Sequence, residues 1–177
     1  MDLIIILVIA AVGYIFYKNH KSKKEKENLT ENQIFLTNLV IISRLHGEMS
    51  KPRLLAIINH MTRRGMKRDE IISEIRRIKV RYNFKETSFR INDIPTPYSR
   101  EEMDALGAAM VGVALIDGNI TKAQKLYART VYMEYGTSYS DADYSVLGYI
   151  NAFTNSADFR KRNEELIKAA QNLDIEI

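Results

Sequence analysis

Apolar positions along the chain follow two patterns. From Leu3 to Tyr17 they are continuous: Leu3, Ile4, Ile5, Ile6, Leu7, Val8 and Ile9 lead through a small-residue stretch to Tyr14, Ile15, Phe16 and Tyr17. Beyond residue 30 they recur at three- and four-residue intervals, as on one face of a helix. Ile71, Ile75, Ile78 and Tyr82 form one such stripe, and Met103, Leu106, Met110 and Val113 a second. Leu147, Ile150 and Phe153 form a third, and Phe159, Leu166, Ala170 and Leu173 a fourth. No convincing two-residue alternation competes with them, so the second region is predicted to be all-helical.

Helix starts are legible from side chains that can accept a hydrogen bond from first-turn amides. Thr30 to Gln33, Ser99 to Glu102 and Thr121 to Gln124 fit the capping-box pattern, and Ser50, Ser140 and Ser156 read as simpler caps. Caps and stripes together predict about seven helices. The main irregular connection is 83–97, where Asn92, Asp93, Pro95 and Pro97 oppose helix. Across it the sequence echoes itself 71 residues apart: the stretch from Leu39 through Gly47 to Pro52 matches the stretch from Met110 through Gly118 to Ala123. Gly47 and Gly118 are expected to end one helix, Met49 and Ile120 to dip into the core, and Ser50 and Thr121 to cap the next. The echo predicts two pseudo-repeated helical hairpins.

The continuous run reads as a transmembrane anchor over residues 1–17. Its fifteen apolar residues would cover about 22 Å as a helix, short of the roughly 30 Å hydrocarbon core, so its ends must help. Tyr14 and Tyr17 suit headgroup depth, and Lys18 can snorkel. The rivals are a cleaved signal peptide, whose cationic end would precede the run, and a buried helix. Residues 18–28 carry five lysines against two glutamates and no large apolar side chain, which reads as a basic tether. With every nearby lysine C-terminal to the run, the N-terminus is expected outside and residues 29–177 in the cytoplasm, at an inner membrane if the source is bacterial. The lack of cysteine agrees with a reducing compartment.

From Ala105 to Leu126, a helix of small residues ends at Asp117-Gly118, followed by an apolar residue and a capped, charged helix. This stretch resembles the TerB-like family, the helical domain of tellurite-resistance proteins that also occurs in a membrane-anchored DnaJ-like co-chaperone. The resemblance implies an all-helical fold, assembly with protein partners in stress or defence, and a metal candidate at Asp117. No histidine precedes proline, so the J-domain motif is absent. The equivalent of Asp117 in the first half is His46, which breaks any symmetric metal site, and an aspartate before glycine is also an ordinary turn residue. No cofactor is expected; a divalent metal at Asp117 is the one candidate.

No phosphate loop, nucleophile elbow or zinc-protease motif occurs, and an enzyme is unsupported. Charge is distributed unevenly: from Lys51 to Arg90 there are twelve basic and four acidic residues, and from 91 to 177 eight against thirteen. Arg63, Arg64, Lys67, Arg68, Arg76, Arg77, Lys79 and Arg81 form a candidate surface for an acidic protein, an anionic bilayer or nucleic acid, against the alternative of a solvated face. Nucleic acid lacks both a base-reading motif and an aromatic platform. The tyrosines from Tyr127 to Tyr149 suit either a partner interface or an outer core. Gly107, Ala108, Ala109, Gly112 and Ala114 are expected to let a neighbouring helix approach. The reading is a single-pass membrane adapter or sensor, with a tethered nucleic-acid binder and a metal-dependent activity as alternatives.

Overall fold

The computed structural model describes residues 29–45, 47–82, 95–97 and 99–175. The expected anchor and tether, His20, His46 and most of the 83–97 connection lie outside the described residues. Among the described residues there are seven α-helices and no strand: α1 (Glu31–Arg44), α2 (Lys51–Arg63), α3 (Arg68–Arg81), α4 (Arg100–Ala114), α5 (Lys122–Glu134), α6 (Tyr139–Asn155) and α7 (Ala157–Ala170). A single 3-10 turn, Leu115–Asp117, extends α4. None of these helices is long and apolar enough to cross a membrane.

Local chemistry sets the helix boundaries. Ser50, Ser99, Thr121 and Ser156 accept from the backbone amides of Arg53, Glu102, Gln124 and Phe159, and at Thr121 the Gln124 side chain completes the reciprocal box. The expected cap at Ser140 is corrected to Ser138, which accepts from the Asp141 amide and starts α6 two residues earlier. Leu147, expected to face the core, is 39 % exposed; Ala142 and Val146 are the fully buried side chains of α6.

Gly47 and Gly118 have φ of 117° and 92°, the left-handed geometry that only glycine adopts without strain. Gly65 and Gly136 repeat this at 89° and 105°, ending α2 and α5, and they too stand 71 residues apart. The echo is therefore longer than two hairpins. It relates α1–α2–α3 to α4–α5–α6, and the packing obeys it: α1 contacts α2 and α3 as α4 contacts α5 and α6. Helices α1 and α4 meet each other at the centre, α1 also touches α5, and α4 also touches α2. Helix α7 has no counterpart and lies on α2 and α6.

At the centre α1 is buried all round, every residue from Ile34 to Ser43 being inaccessible. Two of its polar members, Asn38 and Ser43, have hydrogen-bond partners. Asn38 donates to the carbonyls of Ile34 (2.9 Å) and Pro95 (2.8 Å) and accepts from the Tyr127 hydroxyl (2.8 Å), and Ser43 donates to the Val40 carbonyl. Pro95 thereby ties the end of the interrepeat connection to the central helix.

Candidate functional site

Helix α2 ends and α3 begins within a tight turn around Gly65 and the buried Met66, whose amide bonds back to the Met61 carbonyl at 3.1 Å. This rigid corner presents Arg63, Lys67 and Arg68 to solvent, and none of the three forms an ion pair among the described residues. Arg64, expected beside them, points inward instead. Its guanidinium lies 3.7 Å from the centre of the Phe35 ring, pairs with Glu102 at 2.9 Å and donates to Asn32 at 3.0 Å. It clamps α2 to α1 and α4 and belongs to the framework. Further along α3, Arg76 and Arg81 are exposed and Lys79 is half-buried, while Arg77 pairs with Glu74 on the same helix at 2.6 Å. The face is thus a mixed surface with a cationic corner.

Asp117 sits on the turn after α4, and its carboxylate faces the first repeat. It pairs with Arg53 Nε at 3.1 Å and accepts from Ser50 Oγ at 3.2 Å. Arg53 is 1 % exposed, Asp117 37 %. Burial lowers the Arg53 pKa and Asp117 opposes that shift, so the aspartate is the counterion that keeps a buried guanidinium charged. Among the described residues no group of three or more His, Asp or Glu side chains converges as a metal cage would require.

A groove of about 380 Å³ opens on another face, bounded by α2, α4 and the α6–α7 corner. Each long helix contributes a stripe at helical spacing: Ala56, Asn59, His60 and Arg63 from α2, Ala105, Ala108, Ala109 and Gly112 from α4, and Phe159, Arg162, Asn163 and Leu166 from α7. The expectation that the small residues of α4 admit a neighbouring helix therefore holds only in part. Gly107 does meet α5: a methyl group there would collide with the Tyr132 hydroxyl and ring. Ala108 and Ala109 instead form an open floor. His60 stacks on Phe35, and burial, with the nearby cations Arg64 and Arg63, lowers its pKa, so the imidazole is held neutral. Its Nε2 is buried with no hydrogen-bond partner. No motif in the sequence singles out His60, which follows Asn59 within an ordinary helical segment. The signal for the groove was the small-residue stripe of α4, and its open face depends on where α7 lies.

Acidic side chains near the helix starts serve the framework: Glu102 holds Arg64, Asp104 holds Arg100 at 3.1 Å, and Asp141 accepts from the Ser138 hydroxyl at 2.6 Å. The tyrosines divide. Tyr127 and Tyr132 are core residues whose burial raises their pKa, Tyr149 donates to the Asp104 carbonyl, and Tyr139 and Tyr144 are exposed. Compared with protein-family models, curated proteins and solved structures, the chain gives no match.

Proposed function

We propose that the chain is a single-pass membrane-anchored adapter or sensor whose cytoplasmic helical domain recruits a protein partner, in the stress or defence setting that the TerB-like resemblance implies. The observation that carries this reading is the cationic corner: three exposed charges without ion pairs, held on a turn that the buried Met66 fixes in place. Such charges steer and orient an acidic surface more than they supply affinity. Confinement to a membrane supplies the rest, because it raises the local concentration of tethered partners. The acidic residues Asp69, Glu70 and Glu74 lie among the basic ones on α3, and α3 carries no aromatic side chain. That mixture suits a protein surface better than a phosphate backbone, which favours unbroken positive charge or a stacking platform.

A photo-crosslinking amino acid at Glu70, beside the corner, tests this in cells expressing the full chain. A protein adduct of discrete mass is expected, lost on Lys67→Glu with Arg68→Glu and reduced on deletion of residues 1–17. Adducts destroyed by nuclease, or indifferent to the charge reversal in a chain shown by circular dichroism to be folded, would reject it.

A further inference from the structure

We propose that the groove between α2, α4 and α7 binds a single-chain anionic amphiphile, an acyl chain carrying one carboxylate or phosphate head. Its volume of about 380 Å³ falls in the range of small-molecule sites, roughly 300–1,000 Å³. That space takes a chain or a few side chains, and a docked helix would need far more. The floor is Ala105, Ala108, Ala109 and Gly112, and Phe153, Phe159, Leu166 and Val113 complete an apolar wall.

Every charged residue of the lining is cationic. Arg63 and Arg162 line the groove, no Asp or Glu does, and neither arginine has an ion pair among the described residues. The ends of the groove are fixed by two contacts. Arg64 pairs with Glu102, which sets the C-terminal end of α2 against the start of α4, and Asn163 donates to the Ile116 carbonyl at 2.9 Å, which sets α7 against the end of α4. Arg63 and His60 thus stand at one end and the aromatic pair Phe153–Phe159, with centroids 4.7 Å apart, further along. A head at the first end meets the Arg63 guanidinium, and the His60 ring, stacked on Phe35, walls that end. The tail then lies over alanine and phenylalanine. Arg63 belongs to both the corner and the groove, but Lys67 and Arg68 line only the corner and Arg162 only the groove, so the two readings are tested by different variants.

The test uses the full chain in phosphatidylcholine nanodiscs with three diazirine-tailed probes: palmitate, lysophosphatidylglycerol and neutral monoacylglycerol. Mass spectrometry of the adducts is expected to place either or both anionic probes within 105–113 or 153–166, saturably, with the neutral probe about tenfold weaker. Labelling by palmitate alone assigns the carboxylate source, and labelling by the lysolipid alone the phosphate. Ala109→Phe, which fills the floor, should abolish labelling. Arg63→Glu with Arg162→Glu, both at exposed positions, should reduce it about tenfold and covers the case in which the phenylalanine variant fails to fold. Equal labelling by the neutral probe, or labelling unchanged in the double-arginine variant, would overturn the proposal.

Discussion

Arg53 is a buried side chain that ties the two repeats together. It occupies the third position of α2 after its cap, where Gln124 stands in α5. From there its Nη1 donates to the Ser43 carbonyl at 3.0 Å and its Nη2 to the Ala114 carbonyl at 3.3 Å, residues that correspond to each other in the two repeats. Gln124 makes a shorter version of the same bridge, donating to the Ile42 carbonyl at 3.0 Å. One guanidinium therefore closes the ends of both central helices, and Asp117 neutralises it. Asp117→Ala leaves a buried cation without its counterion and is expected to lower unfolding free energy by about 2–3 kcal/mol, less than for a fully buried pair because the carboxylate is partly wet. Arg53→Met strands two carbonyls, at about 1–3 kcal/mol each. Urea denaturation of both single variants and the double variant should show strong non-additivity; additive losses would mean the pair is not coupled. The sequence offered Asp117 two roles, turn residue and metal candidate. Its partner stands 64 residues earlier, and no local pattern announces a contact of that range.

At the level of helices, much was legible because their starts are local events. A serine or threonine oxygen meets an amide three residues on, so Ser50, Ser99, Thr121 and Ser156 could be read directly. Ser140 misled because Ser138 fits the same pattern, and the choice is settled by Gly136 and by which face of α6 meets α4 and α5. The candidate site was less legible. Charge identified the α2–α3 corner, but not that Arg64 turns back to Phe35 and Glu102, since a helix-end arginine has no local signature for direction. Small residues on α4 were read as one packing surface, yet they do two jobs. Gly107 takes the Tyr132 ring, which is fully buried and cannot swing away. Gly107→Ala regains about 1 kcal/mol of helix propensity but forces the ring and α5 outward at a cost in the upper part of the 1–3 kcal/mol range for overpacking. A net loss of about 1–2 kcal/mol is expected in urea denaturation. A neutral or stabilising result would show that α4 and α5 can separate freely.

At the scale of the whole molecule, a three-helix unit used twice explains why a chain with few sequence signals forms a single core. The two copies meet through α1 and α4, each copy lends its second helix to the other's first, and α7 is added on one side only. That addition breaks the symmetry and forms one wall of the groove, so the asymmetric helix also shapes an open apolar surface. The apolar run at the N-terminus bears on what such a domain can do. An anchor with the tether's lysines on the inner side would confine the helical domain to the cytoplasmic side of that membrane, where weak contacts gain from raised local concentration. The full chain is then expected to stay in the membrane fraction through alkaline carbonate extraction, and a C-terminal tag to resist protease added outside intact cells. Replacing Lys18, Lys21, Lys23, Lys24 and Lys26 with serine should expose part of the tag population by weakening the charge asymmetry that sets orientation. Extraction into the carbonate supernatant would remove the anchor, and a protease-sensitive tag on the unaltered chain would reverse the orientation; either result would separate the helical domain from the compartment in which its charged corner is proposed to act.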